Sequence, residues 1–359
     1  MKSMTTLQQL GFSNEQLERI DNLVPGRIAT QSKGIYRVVT ENHVILATLP
    51  GKFMHDLTDP LALPAVGDFV LMTLQPGENK GLIEHVLPRK QAFIRQAAGT
   101  ETKPQIISAN IDYAFLAMSC NDNFNVNRMQ RFLIAARDSG AEPIILLTKA
   151  DLIDELEKEI MTAELSGIAG DVPVYFISMH TDDHIAELRA LLKDNKSATI
   201  LGSSGIGKST LINKLMGEDV MVTNDIRESD SKGKHTTTHR ELLLLPDGGI
   251  MIDTPGMREF QLWSTGDHIG LSTEFSDIES LIESCRFNDC GHTNEPGCAV
   301  QQALSDGTLS AARYEQYEKY QRELAYQERR SNQAMRRAEQ DMWKKNTKIG
   351  RQNRANKGR

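Results

Sequence analysis

The chain has 359 residues and a mass of 40.1 kDa, enough for two or three domains that each bury a core of their own. With 39% hydrophobic and 25% charged residues it reads as an ordinary soluble protein, and no run approaches the roughly 18 apolar residues of a membrane helix, nor does Met1 to Thr6 lead into a signal-type apolar segment, so a membrane protein is excluded and the cytoplasm is the expected compartment. The net charge of −7 hides an asymmetry: residues 321–359 carry twelve Lys/Arg against four Asp/Glu, a net +8 that leaves −15 on the remainder.

Residues 1–24 read as a short helical arm. Leu7 and Leu10 precede a break at Gly11-Phe12-Ser13, and Leu17, Ile20 and Leu23 then recur at helical spacing behind Ser13 as the cap. Over residues 25–98 the pattern changes to short strands, at 34–39, 43–47, 66–71 and 81–86, with turn residues between them. About five strands in about seventy residues fit an OB-type β-barrel, a scaffold that often binds oligonucleotides. Few exposed aromatics are evident, so contacts through shape and backbone are expected rather than base stacking. The plainer alternative is a barrel that serves only as a packing partner.

Residues 105–265 alternate strands with helices such as Val126 to Ser139, which predicts a mostly parallel α/β sheet. The apolar run Pro143 to Leu147 leads into Thr148-Lys149-Ala150-Asp151. A polar loop after a buried parallel strand is where such a sheet places ligand contacts. The Asp151 carboxylate can accept from the N1–H and N2–H₂ donors of guanine, which adenine lacks, and the Lys149 stem can lie against the base. A second strand, Val172 to Ile177, ends at Ser178, where a base-supporting loop belongs.

The strongest signal comes next. Gly202-Ser203-Ser204-Gly205-Ile206-Gly207-Lys208-Ser209 matches the phosphate-loop pattern G-x-x-x-x-G-K-[ST], between a strand at Ala198 to Leu201 and a helix from Ser209 and Thr210 to Met216. The glycines turn the backbone so that its N–H groups face phosphate oxygens at a helix N-terminus. Lys208 is expected to reach the β- and γ-phosphates, as a catalytic cation, and the Ser209 hydroxyl to bind Mg²⁺. Lys234-His235-Thr236-Thr237-Thr238 is a candidate switch, with Thr237 as its Mg²⁺ ligand. Gly249 to Ile252 then leads into Asp253-Thr254-Pro255-Gly256, in which Asp253 holds Mg²⁺ through water and the Gly256 N–H senses the γ-phosphate.

The base motif thus precedes the phosphate loop, whereas a guanine-nucleotide domain usually has them in the reverse order. All the parts exist, and the chain enters the fold at a different point: a circularly permuted P-loop GTPase. Met257 occupies the position where many GTPases carry a water-aligning Gln, so slow intrinsic hydrolysis is expected, with His235 aligning the water once a partner orders the switch.

Cys120 stands alone at a strand end and reads as a core residue. Cys285, Cys290, His292 and Cys298 supply three thiolates and one imidazole within fourteen residues, among segments over 266–320 that read as helices. A reducing compartment does not stabilise disulfides there, so a closed, tetrahedral and therefore structural Zn²⁺ site is predicted. The basic tail over 321–359, on an acidic body, suggests an RNA-facing element.

With these motifs assembled, the chain from about residue 25 to about residue 320 resembles the circularly permuted ribosome-assembly GTPases of the RsgA (YjeQ) family. The phosphate loop, His235 to Thr238, Asp253 to Gly256, Arg258-Glu259-Phe260 and the Cys/His cluster all match in order. The resemblance implies GTP and GDP as ligands and the small ribosomal subunit, with its rRNA, as the stimulating partner of a monomeric protein that docks late in subunit maturation and leaves on hydrolysis. A guanine-nucleotide switch acting on a protein partner is the alternative, and a static RNA-binding module is the least favoured reading. One position departs from the family pattern. Thr148 replaces an Asn whose side chain normally ties the base loop to the phosphate loop, so a less firmly held guanine site is expected.

Overall fold

The computed structural model describes residues 6–18, 22–41, 43–56, 59–96, 104–121, 123–203, 205–221, 240–254 and 268–329. The chain divides into two compact units, Met1–Ile94 with Ile106–Gln261, and Arg95–Gln105 with Leu262–Arg359. Each is described by itself.

In the first unit, β1 (Val24–Ser32), β2 (Ile35–Val39), β3 (Val44–Thr48), β4 (Phe69–Leu74) and β5 (Lys80–Val86) run β1-β2-β3-β5-β4, and β4 pairs back onto β1, closing a five-stranded barrel. The pairing is antiparallel except between β3 and β5. Alternation drives closure: Tyr36, Val38, Ile45 and Ala47 point inward, while Ile35, Arg37, Val44 and Leu46 face out. A short helix α1 (Asn14–Glu18) precedes the barrel, with the Ser13 hydroxyl accepting from the Gln16 N–H, as the sequence predicts. Leu23 lies in the bend before β1 rather than on that helix, and Ile20 lies outside the described residues. A one-turn helix α2 (Gly51–Asp56) follows β3, and β6 (Ala92–Gln96) and β7 (Pro104–Ala109) form a separate two-stranded sheet.

The barrel joins the second half of this unit through one sheet. The strands β8 (Tyr113–Ser119), β9 (Glu142–Thr148), β10 (Val174–Ile177), β11 (Ser197–Leu201), β12 (Glu241–Leu244) and β13 (Ile250–Asp253) are ordered β10-β9-β8-β11-β13-β12, and β12 pairs with β1 at Thr30 and Glu241. The first five of these are parallel and only β12 is antiparallel. Parallel strands need covered faces, and β8 and β11 are correspondingly buried almost end to end. On one face, α5 (Ile185–Leu191) and α6 (Lys208–Met216) bury Ile185, Leu188, Leu211, Ile212 and Leu215 against Phe115, Leu146, Ile200 and Met251. Each such side chain contributes about 1.5–3 kcal/mol. Two further helices cross over between the strands, α3 (Val126–Ser139) and α4 (Glu155–Ala169). The first begins where the Asn125 carboxamide accepts from the Arg128 N–H and stops at left-handed Gly140; the second opens with a capping box of Asp154 and Glu157.

The junction between barrel and sheet is polar and buried. The fully buried Arg27 guanidinium donates to the carbonyls of Leu10 (2.9 Å), Gly67 (3.0 Å) and Asn110 (2.7 Å), and it lies over the Phe69 ring. The Asn110 carbonyl also accepts from the Ser197 hydroxyl at the start of β11. Gly67 has φ +95°, and a Cβ there would sit 2.2 Å from the Ala109 carbonyl oxygen, so no larger residue fits this approach.

Over residues 268–329 the second unit is built on helices: α7 (Ile269–Glu274), α8 (Ser276–Glu283), α9 (Ala299–Asp306) and helical residues 311–329 (α10). Phe275, Ile278, Val300, Tyr317 and Leu324 form its interior. Arg313 of α10 pairs with both Asp277 oxygens at 2.7 and 2.8 Å and covers the Phe275 ring. Among the described residues no helix is long and apolar enough to cross a membrane.

Candidate functional site

Because β8, β9, β10, β11 and β13 are parallel, the loops that follow them emerge along one edge of the sheet. That edge gathers residues dispersed over a hundred positions. After β11 the chain turns through Gly202 into α6; a Cβ on Gly202 would lie 2.5 Å from the Ala117 carbonyl oxygen of β8, which is why this position admits only glycine. Gly205 (φ +81°) and Gly207 (φ +91°) take left-handed conformations, and nothing stands within 4 Å of where a Gly207 Cβ would point. Lys208 opens the helix, and its ammonium donates to the carbonyls of Gly202 (2.6 Å) and Ser203 (3.0 Å). Burial pushes its pKa down to about 8, against the opposing pull of the Asp253 carboxylate. Ser209 and Thr210 follow, half-buried, on the first turn of α6. Ser204 lies outside the described residues.

Asp253 ends β13, buried, and Thr254 donates to the Ile200 carbonyl (3.1 Å) while Thr199 donates to the Ile252 carbonyl (3.0 Å). These hydroxyls stitch the Asp253 strand to the strand that carries the phosphate loop. Gly256 and the whole switch segment with His235 and Thr237 lie outside the described residues.

Thr148 ends β9, level with Ser119 of β8 and Ile177 of β10. Lys149 is left-handed (φ +60°), and Ala150–Leu152 make one 3₁₀ turn that leaves Asp151 exposed. Ser178, directly after β10, is fully buried; its hydroxyl accepts from the N–H groups of His180 and Thr181 and so shapes its own loop. At the position where the family pattern has an Asn, the buried Thr148 hydroxyl donates to the Ile206 carbonyl at 2.8 Å and ties the loop after β9 to the loop after β11.

Sequence reasoning missed a second tie. The Asn123 carboxamide donates to the Ser203 hydroxyl at 2.8 Å and accepts from Arg128 of α3. No motif marks these residues; only the helix that follows them, Val126 to Ser139, was legible in the sequence. Cys120 behaves as expected, a buried thiol whose pKa burial pushes up to about 11.

In the second unit, Cys285, Cys290, His292 and Cys298 bring their donor atoms within 4.8 Å of one another. Bonds of about 2.3 Å to sulfur and about 2.0 Å to nitrogen at tetrahedral angles give ligand edges of about 3.8 Å (S···S) and about 3.5 Å (S···N). The cluster has 3.9 Å between Cys285 and Cys298, and 3.6 and 3.5 Å from His292 Nδ1 to Cys285 and Cys298. The donors therefore fit a metal ion. The intervening loop is held by Glu295, whose carboxylate accepts from the N–H groups of Gly291, Thr293 and Asn294, and by Gln301, which donates to the His292 carbonyl.

The RsgA GTPase family model matches residues 86–263. A protein of Listeria innocua named small ribosomal subunit biogenesis GTPase RsgA 1 is 50% identical over 94% of this chain and 95% of its own length. The similarly named RsgA 2 of Listeria monocytogenes is 47% identical over the same shares. Among solved structures, YjeQ from Thermotoga maritima superposes with a TM-score of 0.61 at 28% identity, covering 84% of this chain and 99% of that one. YloQ, a circularly permuted GTPase, gives 0.57 at 26% identity, covering 84% and 95%. The strand order around β11, with the base loop ahead of the phosphate loop in the chain, is thus that of a circularly permuted GTPase behind a five-stranded barrel, and the chain belongs to the RsgA GTPase family of GTP hydrolases.

Proposed function

We propose that the chain binds the small ribosomal subunit and hydrolyses GTP during its late maturation, with turnover stimulated by the subunit. The observation that carries this reading is 50% identity, over nearly the whole chain, to a relative named for small-subunit biogenesis. The closed barrel and the basic residues 321–359 support contact with rRNA, since phosphate neutralisation by Lys and Arg supplies most sequence-independent affinity.

In this reading Asp151 reads guanine, Lys149 lines the base, and Thr148, Ala150 and Ser178 hold the loops that frame it. The backbone from Gly202 to Gly207, with Lys208, Ser209 and Thr210, takes the phosphates. Ser209 and Thr237 would hold Mg²⁺ with the help of Asp253, and Gly256 would sense the γ-phosphate; the ion would supply neutralisation of phosphate charge. His235 aligns the attacking water, a role tested by His235→Ala, which then loses subunit-stimulated turnover while keeping GTP binding; preserved turnover discards it. Cys285, Cys290, His292 and Cys298 hold one structural Zn²⁺, because three thiolates and an imidazole leave no open position for a substrate. The protein works in the cytoplasm as a monomer without membrane contact. Its working parts are the barrel over 25–98, the GTPase part over 105–265, the metal-bearing helices over 266–320 and the tail over 321–359.

The test is GTP turnover with purified small subunits, with large subunits as the control. Strong stimulation by small subunits alone is expected. Stimulation by neither refutes the proposal and favours a switch that acts on a protein partner.

A further inference from the structure

We infer that Asn123, held by Arg128, is a positioning residue for the phosphate loop that acts through Ser203 on the Lys208 ammonium. The inference rests on the reading of Gly202 to Ser209 as the nucleotide site.

A continuous series of contacts carries it. Arg128 sits in the first turn of α3, where its own N–H is capped by Asn125 at 2.8 Å. Its guanidinium donates to the Asn123 Oδ1. Arginine has donors and no acceptor, so this contact fixes the carboxamide with its oxygen toward Arg128 and its NH₂ toward Ser203. The NH₂ then donates to the Ser203 Oγ at 2.8 Å. Ser203 in turn offers its carbonyl to the Lys208 ammonium at 3.0 Å, beside the Gly202 carbonyl at 2.6 Å. In loops of this class that ammonium serves the β- and γ-phosphates.

The arrangement has a chemical consequence. Ser203 accepts from Asn123 through its hydroxyl oxygen, so the side chain is held in one orientation and the carbonyl it offers to Lys208 is held with it. The two limbs of the loop are also held from different strands: Ile206 by Thr148 at the end of β9, and Ser203 by Asn123 after the end of β8. The Thr148 tie takes the place of a familiar contact between base loop and phosphate loop. The Asn123 tie holds the limb that carries the Lys208 ammonium, where a small displacement costs turnover more than it costs affinity for a diphosphate.

The experiment compares Asn123→Ala, Ser203→Ala and the double variant in the full chain. It measures kcat and KM for GTP, the Kd of a fluorescent GDP analogue and the melting temperature, with Lys208→Ala as the control for the site itself. The expected result is a fall in kcat of about fivefold to tenfold, similar in both single variants and in the double, because they break one contact. GDP affinity stays within about twofold and the melting temperature is unchanged. Parent-like turnover of Asn123→Ala overturns the inference, as does a double variant whose loss is the product of the single losses. Undiminished GTP binding by Lys208→Ala would instead remove the reading of the nucleotide site on which the inference stands.

Discussion

Replacing Thr148 by Val removes one hydroxyl and leaves the shape of the side chain. The hydroxyl has a single proton, and of its two neighbouring carbonyls Ile206, at 2.8 Å, is the partner, with Met118 at 3.4 Å. The residue is 2% exposed, so water does not replace the lost donor in place. A buried neutral hydrogen bond contributes about 1 kcal/mol, and leaving its acceptor unpaired raises the cost of the substitution to about 1–2 kcal/mol. The bond joins two protein groups, so that cost has two outlets. If the phosphate loop keeps its course, the loss falls on stability, and a unit of this size melts about 2–8 °C lower. If the loop relaxes until Ile206 meets water, the same energy reappears as GDP affinity weakened by about fivefold to thirtyfold. Thermal melts of the free and GDP-saturated protein, combined with titration of a fluorescent GDP analogue, measure both outlets. Thr148→Ser is the control: it keeps the donor and gives up only a methyl group, so it loses about 1 kcal/mol of stability with GDP affinity unchanged. A Thr148→Val protein with parental melting temperature and parental GDP affinity would refute the argument that this hydroxyl couples base loop to phosphate loop.

Three other outcomes are expected. Arg27→Met strips the donor from three buried carbonyls at the barrel junction, offset in part by relief of a buried cation whose pKa burial has pushed down to about 10; a net loss of about 3 kcal/mol in urea unfolding follows, and an unchanged midpoint contradicts it. In the free protein the Lys208 ammonium loses its proton as pH rises through about 8, so kcat/KM for GTP declines across that value, while bound phosphate favours the charged form and carries the kcat limb to higher pH; a kcat/KM flat beyond pH 9 refutes this. Removing metal with a chelator exposes Cys285, Cys290 and Cys298 to thiol reagents and lowers helical content, and a chelated protein with parental circular dichroism shows that the cluster folds without metal.

Legibility in the sequence followed how local the physical constraint is. The phosphate loop was readable because Gly205 and Gly207 must turn left-handed and Lys208 must open a helix, all within a few residues. The helix from Val126 to Ser139 was readable to the residue, since Asn125 caps it and Gly140 ends it. The Cys/His cluster was readable from chemistry alone. What escaped depends on residues distant in the chain. Val24–Ser32 was not singled out as a strand, because its Pro25, Gly26 and Arg27 oppose strand propensity; pairing with β2 and β4 overrides them. The tie from Thr148 to Ile206 escaped because residue type says nothing of what a short hydroxyl reaches, and 58 positions separate the two. Asn123 and Ser203 are 80 positions apart and belong to no spacing pattern.

Permutation is tolerated because the site needs adjacent strand ends and not a particular order of travel between them. Neighbouring β11, β8 and β13 deliver phosphate loop, Asn123 and Asp253 to one edge whichever is made first. What permutation does change is where the chain enters and leaves the sheet. In this chain β12, which follows residues 222–239, pairs with β1 of the barrel at Thr30 and Glu241. Strand β13 runs through Asp253 into the segment that begins the second unit, so that only fifteen residues separate Asp253 from Ile269 of α7. The edge of the sheet is thereby tied to the rest of the chain twice: β12 pairs with the barrel, and Asp253 leads along the backbone toward the helices that carry the Cys/His cluster. Entry between β7 and β8 makes β13 the last described strand in chain order, so the chain continues from it toward the helices rather than into another strand.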